Sequence, residues 1–337
     1  MSYRINAIKG VQAGLPYYTC MISNWQLMAL LDVMNAKLPP DQRAQRQLNK
    51  ARIPDMKKYI LDNPDSYVFS AVTLCADGEL SFVDFDSSSS PKCGVLSIPE
   101  DSKVTIIDGQ HRIAAMKSAL DENKTLRYEH LPVVLFHDHG LERSQQMFSD
   151  LNRHVVRPTK SLNVMYDKRD PLSNVVSRLI RENPAFRKTV EMERASVPKN
   201  SSALFTLSAI YNATAEMLRG TPFVSVDPTY HIASAFWTKL YDTIPHWGCA
   251  QNGSEDPATV RSQTICTQAV TLIALGRAGC FCYLKRHDFE DLSALTNVDW
   301  MRDNSQWRGM LVNDGKVSGT RASTQALTNY LIALMNR

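Results

Sequence analysis

The sequence predicts an α+β protein, with a small mixed sheet in its first half and a mainly helical second half. Three observations carry that expectation. Short apolar runs of alternating or β-branched character, around residues 67–74, 80–85 and 131–136, crowd into the first part of the chain. A further run, Val104 to Ile107, stops at Asp108-Gly109 and passes at once into the helical spacing of Ile113, Met116 and Leu120. From Asn200 onward the apolar spacing is helical, punctuated by Gly220 and Pro245. Strands and helices do not alternate regularly, which argues against a doubly wound sheet. The expected domains are an α/β domain over 1–165 and a mainly helical domain over 166–337.

Composition bounds the class. With 337 residues, 44% hydrophobic and 21% charged, the chain can bury a sizeable core and does not read as disordered. No uninterrupted apolar stretch approaches the roughly 18 residues of a membrane span, and no basic segment at the N-terminus leads into a long apolar run. The expected location is cytoplasmic, associated with the nucleoid, with no membrane partner. A net charge of +4 permits a nucleic-acid partner without requiring one, so local clustering decides more than the total. The seven cysteines are odd in number and form no Cys-x-x-Cys pair, which indicates neither a disulfide framework nor a zinc module. Cys20, in an expected strand over 17–22, is a redox candidate, although a buried thiol is the commoner reading.

Taken in order, residues 24–35 carry Trp25, Leu27, Met28, Leu30, Leu31 and Met34 at helical spacing, ended by Pro39-Pro40. Asp41 then caps a segment whose Arg43, Arg46 and Lys50 share one helix face, followed by Arg52, Lys57 and Lys58. Only Asp55 opposes these cations, so the run is either a solvated face or a contact for a phosphate backbone. Asp77-Gly78 is read as a hairpin turn between strands at 67–74 and 80–85, and a short strand follows around Leu96 and Ile98. After the strand at 131–136 stands His137-Asp138-His139. Two imidazoles on one face suit a metal, but no third ligand is identifiable nearby and no metal centre is expected.

The helix from Glu142 buries Phe148 and Leu151 and ends in Asn152-Arg153. Arg157-Pro158-Thr159-Lys160-Ser161 brings two cations and two hydroxyls into a constrained loop, suited to phosphate or to a helix cap at Thr159 or Ser161. Leu172, Val175, Val176, Leu179 and Ile180 mark an amphipathic helix that starts at Pro171, with Arg178, Arg181, Arg187 and Lys188 outside it. Helices are expected over 203–219, 229–244, 259–286 and 323–336, the third interrupted by Gly276 and Gly279. Trp300 and Trp307, seven apart, are expected on one helix face, and a turn or hairpin over 309–319.

The stretch Asp108-Gly109-Gln110-His111-Arg112 is the centre of the pattern. It sets three polar donors on a helix N-terminus directly behind a buried strand, where free backbone N–H groups and the positive dipole end favour an anion. Gly109 permits a left-handed turn, and Asp108 can cap the helix or accept from a hydroxyl.

These five residues are the signature of the DGQHR-domain family. Together with Arg43, Arg46 and Arg52-Ile53-Pro54, with Gln146-Met147-Phe148 and Asn152-Arg153, and with the 157–161 loop followed by Tyr166, Arg169 and Asp170, the chain resembles the DndB family. That family is encoded with DNA phosphorothioation genes. The strand, motif and helix also resemble the ParB/sulfiredoxin fold, whose members hold a nucleotide triphosphate at this corner. The resemblance to DndB implies a negative regulator that binds promoter DNA of its modification cluster, as a homo-oligomer and in company with phosphorothioation proteins. Arg43, Arg46, Lys50, Arg52, Arg153, Arg157 and Arg169 are its expected contacts to double-stranded DNA. The ParB likeness implies an alternative, a nucleotide-binding or hydrolysing switch using ATP or CTP with Mg, held by Asp108, Gly109, Gln110, His111, Arg112, Asn152, Thr159 and Lys160. The Arg spacing at the 142–153 helix departs from the ParB pattern, and no Walker loop occurs, so any hydrolysis is not of the P-loop type. A non-catalytic scaffold is the third reading.

Overall fold

The computed structural model describes residues 2–31, 48–86, 88, 90–153 and 158–336. The chain forms two compact units, Met1–Val156 and Arg157–Arg337. The division precedes the expected one at 165/166 because Ser161 and Val164 belong to the second unit. Ser161 Oγ donates to the Arg194 carbonyl at 3.2 Å and accepts from the Ser208 N–H at 3.3 Å, and Val164 lies in the helical core.

In the first unit, β1 (Ser2–Gln12) and β2 (Leu15–Ser23) form an antiparallel hairpin closed by Ala13 and Gly14, both at positive φ. Helices α1 (Asn24–Leu31) and α2 (Ile53–Asp62) follow. Then come β3 (Val72–Ala76), β4 (Ser81–Asp84), β5 (Lys92–Pro99) and β6 (Val104–Asp108). Helix α3 (Gln110–Glu122), β7 (His130–His137) and α4 (Leu141–Arg153) complete the unit. The strands form one mixed sheet in the order β4-β5-β1-β2-β7-β3-β6, in which only β3 and β7 are parallel.

Alternation decides which face is buried. Tyr18, Cys20 and Ile22 of β2, Leu96 and Ile98 of β5, and Val133 and Leu135 of β7 point to one side, where Leu27, Leu30, Ile60, Ile113 and Met116 of the first three helices cover them. On the opposite side α4 lays Met147 and Phe148 over Cys75, Ile107 and Phe136. Covered on both faces, β3 is buried at every position and carries no polar alternation.

Three expectations are corrected. Gly78 does turn the chain, at φ +83, but the flanking strands do not form a hairpin, because β3 pairs with β6 and β7 while β4 pairs with β5. Residues 67–71 are not strand, and Lys50 does not continue a helix from upstream. Asn49 caps a new 3-10 turn, Lys50–Arg52, by accepting from the Ala51 N–H at 3.1 Å.

The second unit is helical: α5 (Lys160–Tyr166), α6 (Pro171–Glu182), α7 (Leu207–Met217), α8 (Val226–Thr243), α9 (Pro245–Asn252), α10 (Pro257–Gln263), α11 (Ala269–Arg286) and α12 (Arg321–Met335). Two short strand pairs accompany them, parallel β8 (Val190–Glu191) with β9 (Phe205–Thr206), and antiparallel β10 (Val312–Asn313) with β11 (Lys316–Val317). Thr159, Asp170, Thr206, Asp256 and Thr320 each cap a helix through the side chain. Phe186, Phe205, Phe236, Trp237 and Trp247 form the aromatic centre, with Trp237 Nε1 donating to Thr214 Oγ1 at 3.0 Å.

Gly276 and Gly279 do not interrupt α11. They let it approach its neighbours, since a Cβ at Gly276 would lie 2.3 Å from the Ala213 carbonyl oxygen and one at Gly279 2.4 Å from the Phe236 ring. Trp300 and Trp307 stack with centroids 6.4 Å apart, but through irregular chain and the 3-10 turn Ser305–Trp307 rather than one helix. Among the described residues no helix is long and apolar enough to cross a membrane.

Because a backbone carbonyl cannot swing aside, Gly276→Ala is expected to lower stability by about 1–3 kcal/mol through overpacking. Urea unfolding followed by tryptophan fluorescence measures it, and an unchanged midpoint would mean that α7 and α11 can separate at no cost.

Candidate functional site

The corner forms where β6 runs out. Gly109 takes φ +99, and a Cβ there would fall 2.6 Å from Val72 Cγ1, so only glycine makes this turn beside β3. Gly109 is the N-cap of α3 and has no side chain with which to cap the first turn of the helix.

Arg112 points back across the turn. Its Nη1 donates to the Ser70 carbonyl at 2.8 Å, to Ser70 Oγ at 2.6 Å and to the Ala71 carbonyl at 2.6 Å, and its Nη2 pairs with the Asp108 carboxylate. The Arg112 side chain is only 15% exposed, against 42% for Asp108. The guanidinium therefore fastens the approach to β3, at Ser70 and Ala71, onto the start of α3.

His111 reaches the other way. Its Nε2 accepts the Asn49 N–H at 3.2 Å, which assigns the ring proton to Nδ1. Asn49 in turn caps the Lys50–Arg52 turn that leads into α2, and α2 lies along α3 with Lys57 paired to Glu122. Lys50, Arg52 and Lys58 are exposed. The motif thus joins two features that are remote in sequence, the anion-favouring helix start and the exposed part of the basic segment.

The other candidates divide. Gln110 occupies the first position of α3, half-buried. Asn152 donates to the Phe148 carbonyl at 2.8 Å within α4, and Arg153 is exposed in that helix's last turn. Thr159 and Lys160 lie in the second unit. Thr159 Oγ1 accepts the Leu162 N–H at 3.2 Å and donates to the Glu193 carbonyl, while Lys160 Nζ donates to Asn212 Oδ1 at 2.5 Å and sits over the Tyr211 ring. Arg169 is exposed on the loop before α6, its N–H donating to Asp167 Oδ1 at 3.0 Å. Arg43, Arg46 and Arg157 lie outside the described residues. Arg178 does not extend a basic track, because it pairs with Glu182 and Asp227 and stacks on Tyr230 at 3.9 Å.

Cys20 is buried against Val133, and burial pushes its thiol up to about 12. Desolvation acts likewise on Cys75, raised to about 11, and Cys266, raised to about 12. Of the histidine pair, His137 Nε2 donates to the Gly78 carbonyl at 2.8 Å. Among the described residues no group of three or more potential ligands is placed to hold a metal ion. Sequence reasoning missed Arg261, whose guanidinium donates to the carbonyls of Pro198, Lys199, Ser201 and Ala203 and holds the loop before β9. No local pattern marks those acceptors.

A family model described as DndB, DNA-sulfur modification-associated, matches residues 5–337. The chain is also similar to the SPbeta prophage-derived uncharacterized protein YopQ of Bacillus subtilis (strain 168), at 24% identity over 168 residues, 48% of this chain and 35% of that protein. The match thus spans only about a third of that curated relative's length. No solved structure matches.

Replacing Arg112 by lysine keeps the charge but loses the fork. The expected result is faster amide exchange over residues 70–73 and a stability loss of about 1.5–3 kcal/mol, as for hydrogen bonds to charged groups; unchanged exchange would remove the clamp from the account. Because the thiolate is the reactive species, a thiol reagent at pH 8 should modify exposed Cys93 in the folded protein and reach Cys20, Cys75 and Cys266 only on unfolding. Rapid labelling of folded Cys20 would restore it as a redox site.

Proposed function

The chain belongs to the DndB family of DNA-sulfur modification-associated proteins, and on that premise we propose that it is a negative regulator that binds promoter DNA of a phosphorothioation gene cluster. The carrying observation is the exposed set Lys50, Arg52 and Lys58, held on the Lys50–Arg52 turn and α2 and tied to the signature motif through Asn49 and His111. Cations on a short turn and a braced helix can meet successive phosphates at little entropic cost, and they neutralise charge without reading sequence. Arg153 and Arg169 extend the proposal to the end of α4 and to the second unit. The bound form is proposed to be a homo-oligomer, matching two-fold symmetric DNA.

A second reading is favoured by one observation, the N-terminus of α3 left without a side-chain cap. A nucleotide phosphate suits these N–H groups, with Gln110 beside them. Arg112 and Asp108 would act there by shaping the turn, since the guanidinium is already spent on Ser70, Ala71 and that carboxylate. ATP or CTP with Mg would then bias α2 through α3, so the nucleotide would act as a switch on the basic surface rather than as a second function.

The test is titration of promoter and unrelated duplex over a salt series, with and without ATP or CTP and magnesium. Glutamine at Lys50, Arg52 and Lys58 should weaken binding to both duplexes and flatten the salt slope by about one unit for each phosphate no longer neutralised. An unchanged slope would take this surface out of the interface. A shift in affinity with one nucleotide would support the switch.

A further inference from the structure

A second concave site lies in the first unit, away from the motif. Across β3, Asp108 pairs with Thr73 at one end, while His137 pairs with Ala76 at the other. At this far end the β1–β2 turn, the end of β7 and α4 enclose a half-open cavity of about 300 Å³, the lower end of the range for small-molecule sites. Its apolar wall includes Leu15, Pro16, Phe136, Met147 and Leu151, and its polar groups are Gln12, His137, His139, Arg143 and Asp150.

Several features look built. Phe136 is held by Tyr17, stacked with centroids 5.6 Å apart, so the ring that lines the cavity is fixed before anything enters. His137 Nε2 donates to the Gly78 carbonyl at 2.8 Å, so Nδ1 is the ring nitrogen left to face a ligand, and the His139 ring meets His137 edge-on at 4.9 Å. Ala13, which also lines the cavity, takes φ +52, a conformation that asparagine or glycine adopts at less cost. Arg143 has no carboxylate partner among the described residues. Asp150 Oδ1 accepts from Gln146 Nε2 at 2.7 Å, which leaves Oδ2 to accept from a ligand.

The chemistry narrows the occupant. The volume suits one ring system with a substituent and excludes a lipid chain or a folded peptide. An apolar wall containing one immobilised aromatic ring suits a flat heterocycle, a carboxylate acceptor and the Gln12 amide suit a hydrogen-bonding edge that carries an amino group, and the Arg143 guanidinium suits an anionic substituent. We propose that this cavity binds a single amino-bearing nucleobase together with its phosphate, the base against Phe136 and Met147, the amino group on Asp150 and the phosphate on Arg143. Such a base has two sources, a free mononucleotide or an unstacked base of a DNA strand. The assignment does not rest on the Lys50 to Lys58 surface.

The experiment is calorimetric titration of the full chain with dAMP, dCMP, dGMP and dTMP, and separately with single-stranded oligo-dC and oligo-dT, repeated with Arg143→Gln, Asp150→Asn and Leu151→Trp. The expected result is saturable one-to-one binding of the amino-bearing nucleotides, with dTMP weakest. Arg143→Gln should weaken it by about tenfold or more, as for loss of a hydrogen bond to a charged group, and Leu151→Trp should fill the cavity and abolish it. Asp150→Asn should narrow the gap between dCMP and dTMP. Glutamine at Lys50, Arg52 and Lys58 should leave mononucleotide binding unchanged while weakening duplex binding, so the two proposals fail separately. Binding of oligo-dC alone, with the same dependence on Arg143, identifies the source as a strand. Absence of saturable binding to any probe, or binding that Arg143→Gln leaves intact, overturns the proposal; Arg143 and Asp150 are exposed, so both variants report on the site even if Leu151→Trp fails to fold.

Discussion

The guanidinium of Arg112 is the fastening on which the motif end of the first unit depends. A mostly buried cation must find acceptors, and this one takes two backbone carbonyls and a hydroxyl from the approach to β3 and a carboxylate from the end of β6. That arrangement fixes where the chain enters β3. It thereby lets β3 sit between β6 and β7, antiparallel to one and parallel to the other, with every residue buried. Gly109 completes the constraint, because β3 approaches so closely at Val72 that no side chain fits at the turn. The family signature is therefore first a structural device, and its remaining chemistry is what that device leaves over: an uncapped helix start, Gln110 beside it and a histidine bound to Asn49.

The sheet is covered unevenly, and the uneven cover creates the sites. Three helices pack on one face, over β2, β5 and β7. On the other, α4 spans only the β7-β3-β6 side, through Met147 and Phe148. The basic turn and α2 belong to the side packed by three helices and owe their position to α3. The cavity at the β1–β2 turn belongs to the partly covered side, at the margin of α4. One sheet thus presents a charged surface governed by the motif and a small apolar cavity remote from it, and the two are separated by the strand register rather than by a domain boundary.

The second unit is held by different means. Close helix approach at Gly276 and Gly279, an aromatic centre around Trp237, and carbonyls gathered by Arg261 supply its order. Its arginines at the surface are partly consumed by ion pairs, as Arg178 is, which limits how far a cationic track can run across it. Exposed ion pairs of this kind add about 0–1 kcal/mol each, so they matter more for removing charge from the surface than for stability.

What the sequence determines by itself is local. The strand, turn and helix at Asp108 to Arg112, the amphipathic helix after Pro171, the cap at Thr159 and the turn before the last helix are all legible, because periodicity and turn chemistry reside in neighbouring residues. The strand from Ser2 is missing from that reading although Tyr3, Ile5 and Ala7 alternate with polar neighbours, a signal that is there to use. Tertiary structure alone decides the rest. Asp77-Gly78 reads as a hairpin because a turn specifies a change of direction and not a pairing partner, and β3 finds better burial between two distant strands. Gly276 and Gly279 read as breaks because nothing in their own helix shows that Ala213 and Phe236 press against them. Arg112 reads as an anion ligand because its acceptors, Ser70 and Ala71, stand some forty residues upstream, and only the sheet register brings them within a hydrogen bond of it.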